Sequence, residues 1–159
     1  MSRTLDLEKT VDNIIDMAKE DLERNGKVSP ICFLISEEDV KIAPFSFGNE
    51  REKIESAKRL RRVVTVLKPS AIICIFEAWM AELEEGEKWD NRIPVRKMPN
   101  KAECIIIEGV MENGKEICCV QKFGRDEKNN PILKGDVNKT ERGYSRFLSG
   151  IYERDWYSN

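Results

Sequence analysis

The sequence of 159 residues contains no histidine. This absence excludes Ser-His-Asp and Cys-His catalysis, imidazole proton transfer and the commonest zinc ligand. Lysine and arginine total 27, and aspartate and glutamate total 29, so neither sign of charge dominates. Nucleic-acid coat proteins and polybasic membrane proteins need a concentrated positive excess, and the near balance argues against both classes.

Long apolar runs are also missing. None approaches the roughly 20 residues that a membrane-spanning helix needs, so we expect no membrane partner. Residues 1–25 carry charges throughout and lack the apolar core of a secretory signal, so we expect a cytoplasmic protein. Hydrophobic residues make up 40% of the chain, which is enough for a folded core.

The cysteines number five, which is odd, and none forms the Cys-x2-Cys spacing of metal sites. Free cysteine behaves as a small buried hydrophobe in apolar runs. We therefore expect reduced core thiols, with no metal and no cofactor, and keep a metal or redox role as the alternative. The residues are Cys32, Cys74, Cys104, Cys118 and Cys119.

Apolar residues at helical spacing predict three helices. The first covers residues 4–24 and the second covers 50–67, with Asn49 as its N-cap and Lys68-Pro69 at its end. A short amphipathic helix is predicted from Tyr144 to Tyr152. The predicted apolar stripe of the first helix is Leu7, Val11, Ile14, Ile15, Ala18 and Leu22, and that of the second is Ile54, Ala57, Leu60, Val64 and Leu67.

β-branched and aromatic runs predict five strands. The third run is nearly continuous and apolar, which indicates a central strand covered on both faces, whereas Pro44 places the second at an edge. The predicted strands cover residues 30–36, 40–45, 71–80, 103–111 and 116–123. Two stretches remain as loops: 81–100, acidic and then basic, and the polar residues 124–139. We interpret the first loop as a flap over the sheet, or alternatively as a charged extension of the strand before it.

The sequence therefore predicts a single α+β domain over residues 1–159, with a five-stranded antiparallel sheet packed by helices in the order α-β-β-α-β-β-β-α. This element order resembles roadblock-like and other profilin-like folds. The resemblance implies modules that dimerise or bind protein partners. Locally, Glu77-Ala78-Trp79 followed by Pro94, Arg96 and Glu103 is similar to a pattern in small uncharacterised bacterial and phage proteins.

Two glutamates lie within apolar strands, where an unpaired carboxylate is costly to bury. Alternation places Glu77 on the face of its strand that also carries Trp79, which we expect in the core. A two-residue type I′ turn at Asn113-Gly114 sets Glu108 opposite Cys119 in the predicted hairpin.

These glutamates allow two interpretations. Glu77, Glu103 and Glu108 together could hold a divalent cation, as in a metal-dependent hydrolase or nuclease. Alternatively, Glu77 pairs with Arg92 or Arg96, and Glu108 faces solvent.

Basic and aromatic residues supply the remaining candidates. Lys58, Arg59 and Arg62 form a basic patch near the C-terminus of the second helix, where cations also favour the helix dipole. A nucleic-acid-binding accessory factor would use this patch with Arg92, Arg96 and Lys97. A partner-binding surface would use Trp89, Arg92, Arg96 and Trp156.

The favoured function is a non-catalytic, cytoplasmic protein-interaction module that forms a homodimer or serves as a subunit of a complex. It rests on the missing histidine, the missing catalytic motifs and the element order. The metal-dependent hydrolase or nuclease and the nucleic-acid-binding factor remain the alternatives.

Overall fold

The computed structural model describes residues 6–37, 39–44, 49–81, 86, 92, 97–98 and 101–140. Within these residues the fold is α+β, with two helices and one six-stranded antiparallel sheet. The helices are α1 (Leu7–Asn25) and α2 (Glu50–Leu67). The strands are β1 (Ile31–Ile35), β2 (Val40–Pro44), β3 (Ala71–Ala81), β4 (Lys101–Met111), β5 (Glu116–Arg125) and β6 (Pro131–Thr140).

The predicted five-stranded sheet is wrong, because most of the loop predicted over 124–139 forms β6. This strand pairs with β5 and lies at the edge of the sheet, whose order is β2-β1-β3-β4-β5-β6. The predicted helix from Tyr144 to Tyr152 and most of the predicted loop 81–100 lie outside the described residues. The predictions of β2 as an edge strand and of β3 as a central strand are confirmed.

Helix α1 packs on one face of the sheet, against β3 to β6. Asp6 caps its first turn by accepting the N–H of Lys9 at 3.1 Å, and Gly26 ends it in the left-handed conformation. All six residues of the predicted stripe are buried, together with Ile73, Ile75, Ile105, Ile107 and Phe123 of the sheet. The α1 face therefore carries the larger half of the core.

Helix α2 packs on the opposite face. Asn49 accepts the N–H of Glu52 at 2.9 Å, so the predicted N-cap is confirmed. The predicted stripe is wrong at Ile54 and Leu67, which are exposed, while Leu60 and Val64 are buried. Leu60 and Val64 belong to a second core cluster. Its sheet residues are Cys32, Leu34, Ile72, Cys74, Phe76, Cys104, Ile106, Cys118 and Val120.

The hairpin between β4 and β5 has a register that differs by one residue from the prediction. Glu108 lies opposite Cys118 rather than Cys119, because the N–H of Gly114 donates to the carbonyl of Met111 at 2.9 Å. Gly114 has a φ of 91°, which suits the left-handed position that follows a type I turn in a three-residue loop. A slip of one residue exchanges the two faces of a strand, so Cys119 faces α1 and Cys118 faces α2.

The expectation that every cysteine is reduced is also wrong. Cys32 of β1 and Cys74 of β3 lie directly opposite each other, with Cα atoms 4.3 Å apart, and form a disulfide. Cys104, Cys118 and Cys119 are buried and form no disulfide, as predicted. The disulfide fastens the β1–β2 hairpin to the centre of the sheet.

Candidate interaction surface

Strand β2 forms one edge of the sheet and presents apolar side chains to solvent. Val40 and Ile42 are 55% and 62% exposed. They lie opposite Ile35 and Phe33 of β1, so they belong to the face that α1 covers further along the sheet. An edge strand with exposed apolar side chains is a template for pairing with another chain.

The backbone of β2 is equally available at this edge. The β1–β2 hairpin closes with the N–H of Ser36 donating to the carbonyl of Asp39 at 2.9 Å. Because hydrogen-bonded and non-hydrogen-bonded pairs alternate along an antiparallel ladder, every second residue of β2 turns its backbone groups away from β1. By this alternation and the observed register, those residues are Val40, Ile42 and Pro44.

Helix α1 also exposes an apolar side chain, on the flank that faces away from β6. Lys139 of β6 pairs with Glu8 at 3.7 Å and with Asp12 at 2.5 Å, which fixes the flank of α1 that faces β6. Met17 follows Glu8 by about two and a half helical turns and so lies on the opposite flank. It is 59% exposed. The apolar strip consists of Phe33, Val40 and Ile42, which share one face of the β1–β2 hairpin.

The three glutamates of the predicted metal site do not share a surface. Glu77 and Glu103 lie on the α1 face of β3 and β4, whereas Glu108 lies on the α2 face and is 2% exposed. The expectation that Glu108 faces solvent is therefore wrong, and the residue engages in a contact within the fold. Within the described residues, no group of three histidine, cysteine or acidic side chains could hold a metal ion.

Glu77 and Glu103 each have a structural partner. Glu77 accepts the N–H of Val28, just after α1, at 2.5 Å. Glu103 pairs with Arg125 at 3.1 Å, and the same guanidinium donates to the carbonyl of Gly26 at 3.1 Å. Cations favour the carbonyl end of a helix, so this pair ties the end of α1 to the sheet.

Arg125 thus positions the end of α1, a role that the sequence does not predict because this residue falls in the polar stretch 124–139 that predicts a loop. The structure places it at the end of β5, where a guanidinium can reach both β4 and the end of α1. Its guanidinium also lies 5.5 Å from the ring centroid of Phe123. The available signal was a basic residue two positions after the predicted apolar strand 116–123.

Trp79 does not lie in the core as predicted. It is 42% exposed, and the ammonium group of Lys101 lies 5.2 Å from the centroid of its ring. β1 pairs with β3 only as far as Ile75, so Trp79 lies on the part of β3 beyond that pairing. The exposed ring is covered by a cation rather than by the helix.

The other predicted binding residues are only partly described. Lys58, Arg59 and Arg62 are exposed on α2, and Arg92 and Lys97 are exposed in the described parts of the 81–100 segment. Trp89, Arg96 and Trp156 lie outside the described residues. The predicted partner-binding set and nucleic-acid-binding set therefore stay predictions.

Two of the free thiols are protected by their surroundings. Burial raises the pKa of Cys104 to about 11, although Lys122 opposes the shift, and burial also raises the pKa of Cys119. The thiolate is the reactive form, so these two cysteines are poor nucleophiles at neutral pH. Neither helix of the described residues has a stretch long and apolar enough to cross a membrane.

Comparison with known proteins gives a family assignment. A family model described as "Bacteriophage lambda protein ea47" matches residues 2–153. No curated protein matches the chain, and no solved structure matches it. The family match covers both helices and all six strands of the described fold.

Proposed function

This chain belongs to the family of the bacteriophage lambda protein ea47, and from that premise we propose that it is a non-catalytic protein-interaction module that assembles through the edge of β2. The observation that carries the proposal is the exposure of Val40 and Ile42 on an edge strand whose backbone groups also face outward. Adding a strand at such an edge supplies main-chain hydrogen bonds for affinity and side-chain contacts for specificity.

The positions of the polar residues support a scaffold rather than a reaction centre. Glu77 and Glu103 hold the end of α1, and Glu108 is buried on the other face of the sheet. Each of these carboxylates is used within the fold. Val40 and Ile42 have no comparable use within the described fold, because more than half of each side chain is exposed.

The test compares one isoleucine at each edge of the sheet. Ile42 of β2 is 62% exposed and Ile132 of β6 is 50% exposed, so Ile42→Lys and Ile132→Lys make the same change at similar surface positions. We expect light scattering after size-exclusion chromatography to give an assembled mass for the native chain and for I132K. I42K should give the mass of one chain.

Circular dichroism should give the same spectrum for all three proteins, since both lysines are placed at exposed positions. Lysine at an edge strand opposes pairing without disturbing the fold. A native chain that is monomeric at every concentration would overturn the proposal, and so would an I42K variant that keeps the assembled mass.

A further inference from the structure

The backbone and charges of β2 determine which partner and which register suit its edge. We propose that the partner is a second copy of this chain, with the two β2 strands antiparallel and Ile42 of each copy on the two-fold axis. This inference rests on the proposed function and deepens it, because it names both the occupant and its alignment. The resulting sheet runs continuously through both copies.

In this register the outward N–H and carbonyl groups of β2 pair with those of β2 in the second copy. The two Ile42 residues face each other and exchange both N–H···O bonds. The N–H of each Val40 meets the carbonyl of Pro44 in the second copy. Proline has no N–H, so Pro44 only accepts, and the pairing uses its carbonyl. A two-fold pairing of this kind uses the same patch on both copies, which is the commonest symmetry of homo-oligomers.

Charge separates this register from its nearest competitor. A second antiparallel register also aligns the outward backbone groups, with Lys41 on the axis and Val40 opposite Ile42. It places two lysine side chains directly opposite each other, and like charges in that position are destabilising. With Ile42 on the axis, Lys41 lies opposite Ala43 of the second copy, and no like charges meet within the strand pair.

The apolar strip becomes continuous in the proposed dimer. Val40 and Ile42 share the α1 face with Phe33, so both copies bring these side chains to the same face of the joined sheet. A pair of five-residue strands buries less than the roughly 800 Å² per partner of a standard interface, so we expect the dimer to dissociate on dilution.

Symmetric cross-linking tests the register. A cysteine on a two-fold axis lies opposite the same cysteine of the second copy, so the two can form a disulfide. Hydrogen-bonded antiparallel partners have Cα atoms about 5.5 Å apart, a distance that a disulfide can span. The Cα atoms of diagonal neighbours are about 7–8 Å apart, which is at or beyond the Cα–Cα separation of about 7 Å that a disulfide can bridge. Ile42→Cys and Lys41→Cys therefore report on the two registers separately.

Under mild oxidation we expect I42C to run as a covalent dimer on a non-reducing gel. K41C and the native chain should run as monomers on the same gel. The native chain controls for its own cysteines, of which two are already bonded and three are buried. Cross-linking of K41C in place of I42C would overturn the register. An assembled native chain in which neither variant cross-links would overturn the inference and leave the proposed function standing, whereas a monomeric native chain would overturn both.

A second measurement does not depend on cross-linking. In the register with Ile42 on the axis, Lys41 faces an alanine, so Lys41→Ala should leave the dimer dissociation constant within about twofold. In the competing register the same change removes a like-charge pair. Each exposed charge pair changes the free energy by about 0–1 kcal/mol, so a tightening of threefold or more in K41A would contradict the proposal.

Discussion

β6 and β2 close the sheet at opposite edges and are built differently. β6 begins at Pro131, carries Gly135 at a φ of 70° and shifts register against β5 between Val120 and Lys122. β2 is short, keeps one register with β1 and has Lys41 as its one charged residue. Both strands contain a proline, but β6 has three charged residues and a register shift, whereas β2 has one charged residue and no shift. Bulges and charges are usual means by which proteins prevent edge strands from pairing, so within the described residues β6 is the better protected edge and β2 the more open one.

The β6 edge is also fastened to the rest of the fold by polar contacts. The side-chain amide of Gln121, which is buried, donates to the carbonyls of Lys122, Lys134 and Gly135 at 2.9–3.3 Å. Lys139 links the strand to α1 through Asp12 and Glu8. Among the described strands β2 pairs with β1 alone, its Ala43 packs against the α2-face core, and the Cys32–Cys74 disulfide joins β1 to β3. The open edge is therefore held covalently, whereas the protected edge is held by polar contacts.

The largest expected effect is the loss of this covalent link. Cys32→Ala should lower the free energy of unfolding by about 2–4 kcal/mol, because the disulfide closes a loop between residues separated by 42 positions. Denaturant unfolding with and without a reductant measures it. The native chain should lose stability when reduced, and C32A should not respond.

Cys118→Ala provides the matched control, since Cys118 is a buried cysteine outside the disulfide and lies in the same core cluster as Cys32. C118A should keep its response to reductant. If reduction leaves the stability of the native chain unchanged, the disulfide does not hold the β2 side of the sheet.

At the β6 edge, Gln121→Leu should lower the free energy of unfolding by about 1–3 kcal/mol, because the carbonyls at the bulge lose their buried donor. Hydrogen exchange by mass spectrometry should also show faster exchange in residues 131–140 and unchanged exchange in β1 and β2. Faster exchange throughout the sheet would mean that Gln121 stabilises the core generally rather than the β6 edge.

The two edges also differ in how well the sequence predicted them. The bounds of α2 and the central place of β3 followed from apolar periodicity and from an uninterrupted apolar run, both of which reflect burial directly. β2 was recognised as an edge because Pro44 cannot donate to a ladder. β6 is not predicted because Gly135 lies between the inward-facing Leu133 and Val137, and Ile132 is exposed on the other face, so its apolar residues do not alternate with polar ones.

The site was less predictable than the fold. Asn113-Gly114 fits a two-residue turn, but the loop includes Glu112 as well, and both faces of β5 are apolar enough to be buried. The sequence therefore could not choose the register that places Cys118, rather than Cys119, beside Glu108 on the α2 face. The exposure of Ile42 depends on where α1 crosses the sheet, and that is a tertiary property.

The smallest expected effect concerns the ion pair that joins β6 to α1. The hydrogen bond to Asp12 raises the pKa of Lys139 above its ordinary value of 10.5. A raised pKa means that the folded state favours the charged lysine, so the stabilisation is present below pH 10.5 and is lost as the pH rises through the folded-state pKa. Lys139→Met should cause a small loss of stability at neutral pH, and added salt should shrink the difference from the native chain.

Lys41→Met on β2 makes the same change at the open edge and should leave thermal stability unchanged at every salt concentration. Equal losses in the two variants would contradict the distinction between an edge that is tied to α1 and one that is left free to pair.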